Sequence, residues 1–296
     1  MRFTALMLPL AIALAARPSM SQAGSADGLQ LPGRVVDVSA GEFFFRSPDS
    51  IPAGLTTFRL RQVGAVLANL EKVEADNLKP ATASHDPTAN FHMLWVVRLN
   101  AGRTAKEWYA ANLKDEPTPW AINLGGPSLA YPPGSSNATF VLEPGNYILV
   151  CYVGSAREDR NRRHVLKGMF HPLTVSKSGV KDVLPTADIT ARITGTGQIL
   201  LSKQPVRGRQ LIAVVNETAK ASEFIVQRIK PGRTADEVVT WKRTDGTSHP
   251  GIPIGGFSNV PPGSTLLTTI DFKSGSYVFW TVRQAGKAVG VTIGAP

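Results

Sequence analysis

Only one cysteine, Cys151, occurs in this chain, which excludes an internal disulfide framework. In an oxidising compartment such a leftover thiol is a liability unless it is buried or used. Histidine is nearly as scarce, at positions 85, 92, 164, 171 and 249, with no His-x-His pair. No Gly-x-Ser-x-Gly and no His-Glu-x-x-His occurs, so the serine-hydrolase elbow and the zinc-protease helix are both excluded. Gly125-Gly126 and Gly255-Gly256 lack a following Lys-Ser/Thr and read as turn glycines, not as a phosphate cradle. There is no long Lys/Arg block, no RNA-binding aromatic signature and no amphipathic basic helix. The net charge of +10 is spread along both halves, which describes a solvated surface and no nucleic-acid face. No later stretch approaches 18 consecutive apolar residues, so no membrane span is expected.

What the chain does have begins at its N-terminus. Arg2, the apolar run Ala5–Ala16 and the small residues Ser21 and Ala23 describe a secretory signal peptide over residues 1–23. Its removal takes away Arg2 and Arg17 and leaves a net charge of +8, because no acidic residue precedes Asp27. The mature product is expected to be periplasmic or secreted.

The chain then repeats itself. Arg98-Leu-Asn-Ala-Gly-Arg-Thr-Ala-Lys-Glu107 recurs 130 residues later as Arg228-Ile-Lys-Pro-Gly-Arg-Thr-Ala-Asp-Glu237. The same shift carries Leu124-Gly-Gly-Pro onto Ile254-Gly-Gly-Phe and Gly145-Asn-Tyr147 onto Gly275-Ser-Tyr277. Pro132-Pro-Gly-Ser135 recurs at Pro261-Pro-Gly-Ser264, 129 residues on. Four blocks in one order at nearly one offset imply two copies of a domain, 34–177 and 186–294, with a linker at 178–185. About two dozen residues between Gln62 and His92, weakly helical in spacing, have no counterpart after Asn216.

Short segments such as Thr56–Arg61, Met93–Leu99, Ala138–Leu142 and Tyr147–Val153 place β-branched and aromatic residues between Gly and Pro turns. Evenly spaced strands of this kind predict an all-β sandwich or barrel. Each copy also carries one capping box, Thr104-Ala-Lys-Glu107 and Thr234-Ala-Asp-Glu237, which predicts a short helix and gives those glutamates a structural role.

The chemistry concentrates around the lone cysteine. A thiol, an imidazole and a thioether follow one another at Cys151, His164 and Met169. Tyr147-x-x-x-Cys151 does not have the two-residue spacing of the immunoglobulin corner tyrosine. Gly145-x-Tyr147-x-x-x-Cys151 instead resembles the lead into the copper loop of the cupredoxin family. His164-Val-Leu-Lys-Gly-Met169 resembles the His-Val-x-x-Gly-Met of the type 1 site in copper nitrite reductases, and Gly168–Val175 resembles the closing strand of plastocyanin-like domains. The fold this resemblance implies is all-β, two tandem cupredoxin-like Greek-key sandwich domains, each with one short helix. It also implies a type 1 copper held by His92, Cys151, His164 and Met169, with His92 supplied by an earlier strand and Met169 as the long axial ligand.

Twelve residues, Tyr152 to Arg163, separate the cysteine from the loop histidine. Arg157, Arg160, Arg162 and Arg163 among them would suit an acidic redox partner, and His85 and His171 are spare ligand candidates. Ser222 and Thr281 stand where the second copy would need its histidine and cysteine, so that copy carries no site. Copper enzymes of this kind need further histidine-rich centres, and with no His-x-His pair the expectation is a non-enzyme that carries electrons or handles copper. The alternative is a metal-free tandem sandwich acting as an interaction or structural module.

Overall fold

The computed structural model describes residues 28–63, 75, 78–79, 82, 91–129, 134–156, 162–242, 246–282 and 287–294. The expected signal segment 1–23, most of the insertion before His92, and His85 lie outside the described residues. Leu31–Pro296 forms one compact unit.

The predicted strands form where the β-branched and aromatic runs lie. In the first half these are β1 (Arg34–Gly41), β2 (Phe44–Arg46), β3 (Ser50–Pro52), β4 (Gly54–Gln62), β5 (Trp95–Leu99), β6 (Ala121–Asn123), β7 (Gly126–Pro127), β8 (Ser135–Leu142), β9 (Gly145–Val150) and β10 (Phe170–Ser176). The second half supplies β11 (Ile189–Ile193), β12 (Ile199–Leu201), β13 (Gly208–Asn216), β14 (Ser222–Ile229), β15 (Gly251–Val260), β16 (Thr265–Phe272), β17 (Gly275–Trp280) and β18 (Val289–Ile293). The fold is all-β. Its two short capped helices, Ala105–Leu113 and Ala235–Thr240, each close the predicted box, with threonine oxygen accepting from the Glu N–H and the glutamate reaching back.

One sheet has eight strands in the order β12-β11-β13-β16-β8-β4-β1-β2. Two five-stranded sheets, β3-β10-β9-β5-β6 and β18-β17-β14-β15-β7, complete the sandwich. Read outward from its centre, the large sheet presents β8-β4-β1-β2 on one side and the corresponding β16-β13-β11-β12 on the other. The repeated sequence therefore appears as a repeated strand order. One apolar cluster runs from Val36 to Ile293 and draws on both halves.

Both repeated tyrosines turn back on their own strand entry. The Tyr147 hydroxyl donates to Glu143 O at 2.8 Å and that of Tyr277 to Lys273 O at 2.8 Å. The corner is thus made even though the spacing to Cys151 differs from the immunoglobulin pattern.

The join between β8 and β16 depends on a side chain. Only Leu267 and Thr139 pair there as strand partners, and the buried Asn137 spans the gap. Its amide donates to Thr269 O at 2.8 Å and accepts from Thr269 N–H at 2.8 Å. Asn137→Leu keeps the volume but leaves both groups of Thr269 buried and unpaired, at an expected cost of roughly 2–4 kcal/mol. Equilibrium urea unfolding checks this; an unchanged midpoint and slope would show that the amide does not hold the join.

Candidate metal centre

Strand alternation aims the cysteine. Along β9 and its exit, Tyr147, Leu149 and Cys151 face the sandwich core, whereas Ile148 and Val150 lie under the helix with Trp108 and Val165. In the segment leading into β5, Leu94 and Val96 face the same core, and His92 has their parity. β5 pairs antiparallel with β9, Trp95 opposite Val150, so the cysteine and the histidine arrive at the same end of neighbouring strands.

The excursion between Cys151 and His164 is closed at its base. Gly154 and Arg163 form an antiparallel bridge. Ser155 N–H donates to Arg162 O at 3.0 Å, His164 N–H to Val153 O at 2.8 Å, and Val165 N–H to Cys151 O at 2.9 Å. These bonds hold Cys151 and His164 together, and the long loop between them adds little to the closure cost, which grows only slowly with length. His164–Lys167 then makes one 3-10 turn ended by Gly168 at φ 95°, a left-handed position that suits glycine. Met169 N–H donates to His164 O at 3.1 Å and Cys151 N–H to Met169 O at 3.2 Å. Met169 is fully buried in the same cluster as Cys151.

The three ligating atoms converge. Cys151 Sγ lies 3.9 Å from His92 Nδ1 and 3.7 Å from His164 Nδ1, and the two Nδ1 atoms are 3.3 Å apart. A point equidistant from all three lies about 2.1 Å from each, within the span of imidazole-nitrogen and thiolate-sulfur bonds to a late first-row ion such as zinc. All three residues are fully buried. Two imidazoles and one thiol form the donor set of a trigonal copper site, so the residues fit such an ion in kind and in spacing. Among the described residues this is the one cluster of three or more His, Cys, Asp or Glu side chains able to hold a metal.

Burial pushes the Cys151 thiol up to about 12, against the pull of the Val153 and Met93 amides, which hydrogen-bond the sulfur and lower it. Without a neighbouring cation the thiol stays protonated at neutral pH, and a bound metal would supply the missing positive charge. Gln62 Nε2 donates to His92 O at 3.1 Å and anchors that strand entry.

Sequence reasoning missed the cover of the site. Phe43 meets the His164 ring edge-on, centroids 4.8 Å apart, and Lys167 Nζ caps Phe43 from 4.7 Å. Phe43 sits at φ 58°, a left-handed conformation that costs a non-glycine residue on the order of 1–3 kcal/mol. No sequence pattern marks it, since in the triple Phe43-Phe44-Phe45 the ring left exposed is Phe44. In Phe43→Gly the relieved backbone offsets the lost packing, so copper-free stability is expected to stay within about 1 kcal/mol of wild type. His164 should meanwhile become reactive to diethyl pyrocarbonate in that variant, read by peptide mass spectrometry. Equal protection in both proteins would show that the ring is no cover.

The other candidates lie elsewhere. His171 Nε2 pairs with Asp49 at 3.2 Å and approaches Pro48 O, and His249 Nδ1 accepts from Gly251 N–H at 2.9 Å. Arg163 stacks over Tyr152 at 5.5 Å and Arg162 donates to Leu166 O, while Arg157 and Arg160 lie outside the described residues. In the second half Ser222 opens β14 and Thr281 follows β17, the places of His92 and Cys151.

No protein-family profile and no curated protein matches the chain. Among solved structures it is similar to a dithionite-reduced auracyanin from Roseiflexus castenholzii, at 16% identity over 49% of this chain and 98% of that one, TM-score 0.26. It is also similar to a blue copper oxidase from Nitrosomonas europaea, 14% identical over 88% of this chain and 85% of that one, TM-score 0.24. A copper-containing nitrite reductase from Thermus scotoductus is 12% identical over 88% of this chain and 61% of that one, TM-score 0.22. Such scores add no argument to the strand order described above. They do correct one expectation, that the chain is no enzyme, since an oxidase and a nitrite reductase stand among the structures it is similar to. The physical reason is visible in this chain: its own cluster is assembled from segments far apart in sequence, so a missing His-x-His motif does not separate catalysts from carriers.

Proposed function

We propose that 34–177 and 186–294, joined by 178–185, are two copies of a cupredoxin-type domain, exported by the 1–23 segment to the periplasm or beyond. The first copy would hold one type 1 copper through His92, Cys151 and His164, with Met169 as the further ligand. The observation that carries this reading is the convergence of two Nδ1 atoms and one sulfur, all within 4.8 Å of one another.

When bound, copper would supply one-electron exchange between two oxidation states. The chain's own groups do the rest. Strand pairing sets the spacing of the donors, the Val153 and Met93 amides hold the sulfur, and the apolar cluster with Phe43 excludes water. Arg162 and Arg163, beside His164, favour an acidic redox partner; copper handling would use the same ligands without one.

The test is copper reconstitution followed by visible absorption. One equivalent should produce an intense thiolate-to-copper band, absent in Cys151→Ser. A colourless protein that takes up no copper would leave a metal-free paired sandwich.

A further inference from the structure

The two halves differ on one face of the smaller sheets. The helix of the first half, Ala105–Leu113, has nine residues, and its counterpart, Ala235–Thr240, has six. Val97, Ile148 and Val150 pack with Trp108 of the longer helix. The 130-residue offset puts Gln227, Val278 and Trp280 at those places, and the ladders agree, since Ile225 pairs with Trp280 as Trp95 pairs with Val150. Val238 of the shorter helix packs with Ile229 and Val278. Farther along the same face, Ile225, Gln227 and Trp280 line a cavity of ≈ 280 Å³. Side-chain size adds to the space: Ile225 and Val282 stand where the first half carries Trp95 and Tyr152, ring centroids 4.5 Å apart.

The wall selects against charge. Its described residues include no Asp, Glu, Lys or Arg. His249, the titratable side chain among them, is pushed down to about 4 by burial and is neutral at neutral pH. An ion entering the cavity would lose hydration with no opposite charge to offset the loss. The ring nitrogens are also engaged. Trp280 Nε1 donates to Gln227 Oε1 at 3.0 Å, Trp241 Nε1 donates to Thr247 O at 3.0 Å, and His249 Nδ1 accepts from Gly251 N–H at 2.9 Å. A polar ligand would compete with these bonds, leaving Ser128 and Ser248 as the small hydroxyls of the wall. Phe91, Leu129, Ile225 and Val282 offer dispersion contact to any apolar surface. A dry apolar cavity of about 150 Å³ holds benzene, so this one has room for a second ring.

We propose that this cavity of the second half binds a small, uncharged, apolar molecule of up to two fused rings. The site is independent of the copper reading and is tested in copper-free protein.

Naphthalene is the probe, titrated into the full chain while the Trp241 and Trp280 indole N–H resonances, assigned with Trp241→Phe and Trp280→Phe, are followed by NMR. A saturable shift of both is expected. Ile225→Trp and Val282→Tyr, which install the side chains the first half carries, should each weaken binding at least tenfold by filling the space. Thermal unfolding checks that both variants are folded, and either one suffices for the test. 1-Naphthoate and protonated 1-naphthylmethylamine should each bind at least tenfold more weakly than naphthalene, and 2-naphthol within threefold of it. No saturable shift, naphthoate or the amine binding as well as naphthalene, 2-naphthol binding more than tenfold tighter, or wild-type affinity in a folded filling variant would each overturn the assignment.

Discussion

Gly126→Ala is expected to destabilise the chain by about 3 kcal/mol, because the added methyl has nowhere to go. A Cβ at Gly126 would overlap the backbone carbonyl of Leu94 and crowd Trp95 Cα. Backbone cannot swing aside as a flexible side chain can, so the strand entry itself must shift. Gly256 repeats the arrangement against the carbonyl of Phe224 and Ile225 Cα, and it also lies at φ 105°. Gly256→Ala should cost at least as much, with left-handed strain added to overlap. The two variants differ in what they reach. Leu94 is two residues from His92, so Gly126→Ala should also weaken copper uptake, whereas Gly256→Ala should leave the ligand cluster intact. Chemical unfolding and a copper titration separate the effects; a wild-type denaturation midpoint for Gly126→Ala would show that the close approach is absent.

Copper itself should be the other large lever on stability. A ligand that binds only the folded state at a thousand times its Kd stabilises by about 4 kcal/mol. For a unit of this size that raises Tm by roughly 8–16 °C. Cys151→Ser removes the one thiolate, and a site a hundredfold weaker forfeits about 2.8 kcal/mol of that gain. The same protein carries its own control, since Ser222 and Thr281 occupy the equivalent places in the second half. Calorimetry should therefore find one equivalent of copper per chain and a Tm shift that Cys151→Ser largely erases. A second equivalent of equal affinity, or an equal shift in the variant, would mean that copper binds elsewhere.

Much of the architecture was legible in the residues. The capping boxes at Thr104 and Thr234 are local hydrogen-bond chemistry and form as read. Gly125-Gly126 and Gly255-Gly256 read as turn glycines, but the sharper reason, backbone meeting backbone at Leu94 and Phe224, belongs to sheet packing. The loop from Tyr152 to Arg163 is long in sequence, yet its base is pinned by a bridge between Gly154 and Arg163 that no motif announced. Phe43 over His164 was equally invisible, since it joins segments with no shared pattern.

Period-two alternation and a 130-residue repeat, both local or self-comparing properties, were enough to imply paired sandwiches, while the role of Cys151 came from the resemblance of its loop. The meeting of His92 with that thiol, across 59 residues, was decided only by the β5–β9 ladder. Spacing along a chain does not specify distance through space. Inter-strand hydrogen bonds do, because they hold neighbouring strands about 4.8 Å apart whatever the length of chain between them.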